Sequence, residues 1–257
     1  MPALAAASPD PPPPVSRGAA LFLDFDGTLA PIAPRPEEVH LPSWVVPTLR
    51  RLRAPLDGAL VIVSGRPLAE IDAFLSPLRL PAVGVHGVER RLADGRIRRH
   101  SGGPPAAALQ AAQRLAAMHA ALRIESKPGG FALHYRQAPE LQGLCIDAVE
   151  SALAGDAQWE ALRGKCVVEV KSRRVSKGAA LRAFLAEPAF AGRVPVFAGD
   201  DTTDEDGIRA AQAAGGAGIK IGPGASEARY RLADVAAVAR WLVASAEQLD
   251  AAGDRTT

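Results

Sequence analysis

Five short apolar runs punctuate the chain, at 19–23, 59–63, 82–85, 194–198 and 217–221. Each is long enough for a strand and too short for a helix. Between the first two, apolar residues at 45, 46, 49 and 52 share one face of a helix predicted over 42–53 and starting near Ser43. Pro67 suits the first turn of a second helix over 68–75. Alternating strands and helices predict parallel strands joined by helical crossovers, an α/β, Rossmann-like core with helices on both faces. From 86 the rhythm changes. Residues 88–92 and 96–99 flank Asp94-Gly95, a pair that favours a tight hairpin turn, and Ser-Gly-Gly-Pro-Pro at 101–105 then breaks the chain. Beyond it, 106–122, 123–127 with 131–136, 140–153, and 159–162 with 166–171 read as helix, strand pair, helix, strand pair. That is an α+β unit inserted into the α/β core. A helix opening at 176 and running through 185 restores the first rhythm, which continues to about Trp241, and residues past about 248 are polar enough to fray. The predicted layout is a disordered, proline-rich tail at 1–16, a discontinuous core at 17–103 and 173–257, and an α+β cap domain at 104–172.

Composition narrows the classes. The 257 residues carry 30 basic and 28 acidic side chains, and 48% of positions are hydrophobic. Such a chain can bury a sizeable core and is not intrinsically disordered. The near-neutral balance argues against a nucleic-acid partner, whose phosphates require clustered Lys and Arg. No apolar run reaches the roughly 18 residues of a membrane span, so no membrane partner is expected. Cys145 and Cys166 are too few for a disulfide framework and read as core packing, which fits a cytoplasmic protein. Only five lysines occur, Lys127, Lys165, Lys171, Lys177 and Lys220. Four fall between 127 and 177, as candidates for tasks that want a compact ammonium.

Open α/β sheets bind ligands beyond the carboxyl ends of their strands, and three such ends here are unusually polar. The first run ends Asp24-Phe-Asp26-Gly-Thr28, the second ends in Ser64-Gly-Arg66, and the fourth ends in Gly199-Asp200-Asp201-Thr-Thr-Asp204. If these strands are neighbours, Asp24, Asp26, Ser64 and Asp200 converge. Each motif alone has a structural explanation: an Asp-Gly turn, a loop with a helix cap, a solvated lysine at 177, acids at a helix start. Turn chemistry does not require them together at three strand ends. Two carboxylates about 4 Å apart repel by about 4 kcal/mol at an effective dielectric near 20, so a cluster of them needs a cation or protons. An all-oxygen donor set without nearby Cys or His selects a hard divalent ion such as Mg²⁺. With Lys177 as a further positive charge, the set reads as phosphoryl-transfer machinery.

These four elements resemble the motifs of the haloacid dehalogenase (HAD) superfamily, in order. More narrowly, Val63-Ser-Gly-Arg66, His86-Gly-Val-Glu89, the segment from Glu125-Ser-Lys127 to Arg136, and Val168-Glu169-Val-Lys171 resemble the trehalose-6-phosphate phosphatase family. The resemblance spans the chain from about residue 19. It implies that Asp24 attacks phosphorus and forms an aspartyl-phosphate while Asp26 serves as general acid, then base. Thr28, Ser64 and Lys177 would hold the phosphoryl oxygens. Mg²⁺ would be held by Asp24, the backbone carbonyl of Asp26, and Asp200, with Asp201 or Asp204 completing the shell. It assigns sugar contacts to Arg66, Glu125, Lys127, Arg136 and Glu169, with Lys171 a further candidate and His86 and Gly87 shaping the pocket mouth. The cap charges alternate along predicted strands, where they could instead be solvated or paired across strands. His134 shares their face and reads as a packed, satisfied histidine. The implied substrate is trehalose 6-phosphate, and the implied pathway partner is a trehalose-phosphate synthase. The competing readings are a phosphatase for another sugar phosphate, such as sucrose 6-phosphate or mannosyl-phosphoglycerate, a signalling receiver, and an inactive sensor.

Overall fold

The computed structural model describes residues 11–100, 102–127 and 129–253. Strand β1 (Ala19–Asp24) is buried at every position because helices cover both faces of the sheet in which it lies. Leu21 and Leu23 pack with apolar residues of α1 (Val45–Arg53), α2 (Leu68–Leu75) and α7 (Val235–Gly253). Ala20 and Phe22 face the other way, onto α5 (Lys177–Leu185) and α6 (Asp204–Ala213). A two-residue side-chain period thus sorts one strand into two cores. Truncating a ring such as Phe22, which packs on Phe184 and Phe190, would cost about 3–5 kcal/mol.

Strands β2 (Leu60–Val63) and β10 (Val194–Gly199) flank β1, both parallel to it. With β3 (Ala82–Gly84), β4 (Glu89–Arg91), β5 (Ile97–Arg99), β11 (Ala217–Ile221) and β12 (Tyr230–Leu232), the order is β12-β11-β10-β1-β2-β3-β4-β5. The pairings from β12 to β3 are parallel, and β4 runs antiparallel to β3. This is the predicted Rossmann-like layout with two strands added by a hairpin. Three strand ends that carry acidic or hydroxyl residues therefore lie side by side, at the centre of the sheet.

Residues Arg99–Ser176 form a second compact unit, and the first comprises the chain up to 98 together with 177 onward. The second unit follows the predicted order: α3 (Ala106–Met118), β6 (Arg123–Lys127), β7 (Gly130–His134), α4 (Gln142–Leu153), β8 (Trp159–Gly164) and β9 (Val167–Ser172). Its sheet is antiparallel, in the order β6-β7-β9-β8. Phe131, Leu133, Val168 and Val170 pack with Ala108, Ala112 and Leu115 of α3 and with Cys145, Ile146 and Val149 of α4.

Two expectations are corrected. Residues 11–16, assigned to a disordered tail, are held against α7: the Val15 N–H donates to Ser245 Oγ at 3.0 Å, and Trp241 Nε1 donates to the Pro13 carbonyl at 2.9 Å. Residues 1–10 lie outside the described residues. The last helix does not fray at 248. Leu249 is buried, and Asp250 accepts from Arg51 of α1, which extends the apolar contact between the two helices.

Candidate active site

Asp24 is the last residue of β1, and the chain turns at once. Gly27 adopts φ +84, and its N–H donates to the Ala30 carbonyl at 2.7 Å. A side chain at 27 would collide with the Asp200 carboxylate, so the glycine lets two acidic loops approach. Lys177 opens α5 and donates to Asp24 Oδ1 at 2.7 Å and to Asp204 Oδ1 at 2.6 Å. All three side chains are nearly inaccessible to solvent. Carboxylate oxygens of Asp24, Asp200 and Asp204 lie within 4.8 Å of one another.

The electrostatics follow from three acids gathered around Lys177, which bonds two of them. Burial raises the Asp24 pKa well above the usual carboxylate range, Lys177 opposes that, and Asp204 and Asp200 reinforce it. Burial raises Asp200 likewise, with Asp204 adding to it. Burial alone would lower the Lys177 pKa, but the charges and hydrogen bonds of Asp24 and Asp204 outweigh it and hold the ammonium protonated. Two lysines, Lys177 within the cluster and Lys220 near Asp200, do not balance three carboxylates, and an all-oxygen set of this kind fits a hard divalent cation. Asp24, Asp200 and Asp204 could hold it. Both oxygens of Asp204 are already engaged, Oδ1 by Lys177 and Oδ2 by the Asp201 N–H at 3.0 Å. Asp201 folds back on Thr202 and Thr203 and does not belong to the cluster. Those contacts, with Lys177, offset its burial and bring its pKa below the usual value.

A cavity of about 560 Å³ opens over this cluster, a size suited to a small organic ligand. Asp24, Asp26, Ser64, Lys177, Asp200 and Asp201 line it, as do Arg66 and His86. Two expected assignments meet a different geometry. Thr28 is fully buried and is not among the lining residues, and its Oγ1 has no hydrogen-bond partner among the described residues. Arg66 does not extend as a free sugar contact: its guanidinium is committed to Asp26 and Glu70. Lys220, one of only five lysines in the chain, has a structural task at this site. This buried lysine on β11 donates to the backbone carbonyls of Asp200 and Ile221, fixing the loop that presents Asp200. A lysine inside the apolar run 217–221 was the available signal.

In the second unit, register places Glu125, Ala132, Glu169 and Leu162 in one row across the sheet, and Lys127, Gly130, Lys171 and Glu160 in the next. These side chains occupy the face opposite the helices. β7 contributes only Gly130 and Ala132 to those two rows, so Lys127 of β6 reaches over β7 to Glu169 of β9 at 3.4 Å. Lys127 also lies 4.0 Å from Glu125, whose other neighbour is His134 at 2.9 Å. The Glu125 pKa is lowered by that histidine contact first and by Lys127 second. His134 is therefore half-exposed and paired with Glu125, not packed away. Arg136 falls beyond the end of β7, exposed, and does not continue the alternation of Glu125, Lys127 and Glu169.

A parallel sheet with an acidic cluster and a buried lysine at its central strand ends, interrupted by an α+β unit, defines a phosphatase of the HAD fold. A phosphatase of that superfamily from Bacteroides thetaiotaomicron shares the fold at a TM-score of 0.60, with 18% identity over 90% of this chain and 95% of that one. The trehalose-phosphatase family model matches residues 22–236. The chain is 42% identical to the trehalose-6-phosphate phosphatase of Escherichia coli over 234 residues, 90% of this chain and 87% of the relative. A structure of trehalose-6-phosphate phosphatase from Aspergillus fumigatus matches at a TM-score of 0.76, with 26% identity, covering 88% of this chain and 92% of that one. The chain belongs to the trehalose-phosphatase family and is a phosphatase.

Proposed function

We propose that the protein hydrolyses trehalose 6-phosphate to trehalose and phosphate with Mg²⁺, through an aspartyl-phosphate on Asp24. The observation that carries this reading is the Lys177 ammonium clamped between Asp24 and Asp204 at the centre of the sheet. It leaves Asp24 Oδ2 unclaimed by that bond as the attacking atom. Asp24 attacks phosphorus and the bond from phosphorus to the sugar oxygen breaks, with Asp26 supplying the proton that the sugar oxygen takes. Water then attacks the aspartyl-phosphate, Asp26 accepts its proton, and the Asp24 carboxylate is restored. Ser64 and Lys177 hold phosphoryl oxygens through both steps. Asp24, Asp200 and the Asp26 carbonyl would hold Mg²⁺, with Asp204 orienting the set, and the ion would supply charge stabilisation for the phosphoryl group. Uncatalysed hydrolysis of phosphate monoesters is among the slowest reactions in water, so nucleophile, cation and proton donor each have a task.

The inserted unit is the cap in this reading, and Glu125, Lys127 and Glu169 provide its sugar recognition, with Arg136 at the margin of that face. Charges of both signs around a floor of Gly130 and Ala132 suit a neutral polyhydroxyl ligand, whose hydroxyls both donate and accept. The reaction belongs in the cytoplasm, downstream of a trehalose-phosphate synthase that supplies the substrate. The test is phosphate release with Mg²⁺ from trehalose 6-phosphate beside glucose 6-phosphate, sucrose 6-phosphate and an aryl phosphate. Strong preference for trehalose 6-phosphate is expected. Preference for another sugar ester would keep the core chemistry and discard the sugar assignment, and no release from any would discard both.

A further inference from the structure

Arg66 follows β2 by three residues, and its environment differs from that of a ligand-binding arginine. Nε donates to Asp26 Oδ2 at 2.7 Å and Nη2 to Asp26 Oδ1 at 2.8 Å, a two-pronged fork. Nη1 donates to Glu70 of α2 at 3.1 Å. The guanidinium carbon lies 5.2 Å from the centre of the Phe74 ring and 5.9 Å from that of Phe25. Only 10% of the side chain is exposed, against 36% for Asp26. The backbone is fixed as well, since the Arg66 N–H donates to Ser64 Oγ at 3.0 Å. A planar group held by a carboxylate fork, a second acid and two rings has one orientation, and it passes that orientation to Asp26.

We infer that Arg66 is a positioning residue for Asp26, and that it acts on the hydrolysis of the phosphorylated enzyme and not on the sugar. This rests on the assignment of Asp26 proposed above. With both oxygens accepting from the fork, Asp26 is presented as an acceptor. That is its role when water attacks the phosphorus of the aspartyl-phosphate: the oxygen–phosphorus bond forms, the bond from phosphorus to Asp24 breaks, and the proton passes to Asp26. A lysine at 66 would offer a point charge without the fork and would hold Asp26 at one oxygen only.

The experiment compares Arg66→Met, Arg66→Lys and Glu70→Gln with the parent on trehalose 6-phosphate and on p-nitrophenyl phosphate, with rapid-quench sampling of the first turnover and a thermal melt to establish folding. Arg66→Met is expected to lower kcat by about 10²-fold on both substrates, the scale of a misplaced general base. KM for the sugar ester should change less than about twofold, as uniform binding is untouched. On p-nitrophenyl phosphate, whose leaving group departs without a proton from Asp26, one equivalent should be released rapidly before a slow steady state, the mark of an accumulating phosphoenzyme. Arg66→Lys should recover part of kcat, and Glu70→Gln should show the same pattern in weaker form. Should Arg66→Met not fold, the other two variants decide. A rise in KM confined to trehalose 6-phosphate, with aryl-phosphate turnover intact, would make Arg66 a sugar contact and overturn the inference, and so would unchanged kinetics. A parent enzyme active on the aryl ester alone would remove the sugar assignment only, leaving the aryl arm to decide Arg66.

Discussion

The chain gathers lysine and carboxylates twice, once at the strand ends of the core and once on the helix-free face of the second sheet. In the core, Lys177 lies 2.7 and 2.6 Å from its acids, with every side chain at most 6% exposed. On the second sheet, Lys127 lies 3.4 and 4.0 Å from its acids, with side chains between 33% and 55% exposed. The same pair of charges 4 Å apart is worth about 4 kcal/mol at an effective dielectric of 20 and about 1 kcal/mol in water. Core charges are therefore locked by one another, and a change there alters stability as well as chemistry. The exposed charges are weakly held, so a polar ligand could replace one partner at little cost. Under the function proposed above, fixed geometry would serve the bond that breaks and exchangeable partners the group that is recognised.

Removing the lock should have the largest effect. Lys177→Met leaves Asp24 and Asp204 buried without their shared cation, and stranding a buried charge in this way costs about 3–5 kcal/mol. Phosphate release should vanish and the denaturant midpoint should fall. A variant as stable as the parent would show that the cluster is already neutralised by protons. Asp24→Asn should separate the two consequences. Its turnover should fall by about 10³-fold or more, as expected for a missing nucleophile. Its stability without divalent ions should rise, because a carboxyl whose pKa is raised on folding opposes folding at any pH above its unfolded value near 4. The gain should be present at pH 7 and disappear as pH falls below about 4, and added Mg²⁺ should stabilise the parent more than the variant. Melting curves with chelator and with Mg²⁺, across pH, measure all of this.

How each region was legible follows from the same contrast. The order of the core motifs could be read because buried chemistry sits at strand ends, and apolar runs such as 19–23 and 194–198 announce where strands end. The alternation 125, 127 and 169 could be read because strands have a period of two. Contacts between residues far apart in sequence could not. Glu70, four residues on, is within local reach of Arg66, but nothing local says that Arg66 turns to Asp26, because that depends on β2 lying beside β1. Thr28 follows the acidic motif directly, yet the turn at Gly27 buries its side chain away from the cavity lining. Residues 11–16 look like a free proline-rich tail until Trp241 and Ser245, more than 200 positions later, supply their hydrogen-bond partners. Lys220 was visible as an oddity in an apolar strand, but its contact with the Asp200 carbonyl is set by the loop after β10.

On the second sheet the effects should be smaller and selective. Lys127→Ala should raise KM for trehalose 6-phosphate by about tenfold, the scale of one hydrogen bond to a charged group. Turnover of an aryl phosphate and the melting temperature should stay as in the parent, since exposed pairs add little stability. A proportionate loss on both substrates would mean that Lys127 supports the fold of its unit and not the recognition of the sugar.

The smallest effect, and the finest test of the contrast, concerns His134. Its ring nitrogen lies 2.9 Å from Glu125 Oε2, and that contact is the main reason the Glu125 carboxyl titrates below its usual range. His134→Ala should move the Glu125 pKa up toward the ordinary carboxylate range, followed by carboxyl-carbon NMR against pH. A depressed folded pKa adds stability that is present above the unfolded value and lost as pH falls through the folded one, so removing it takes that small contribution away at pH 7 and changes nothing once Glu125 is protonated in both states. The variant should be slightly less stable than the parent at neutral pH, with the difference closing as pH falls through the Glu125 titration, and faint throughout because Glu125 faces water. Sugar turnover should be nearly unchanged if Lys127 alone is enough to orient Glu125, and should fall with that of Lys127→Ala if the histidine sets the carboxylate's direction. An unmoved Glu125 titration would leave Lys127 as the group that depresses it and make the two exposed contacts as independent as the two buried ones are coupled.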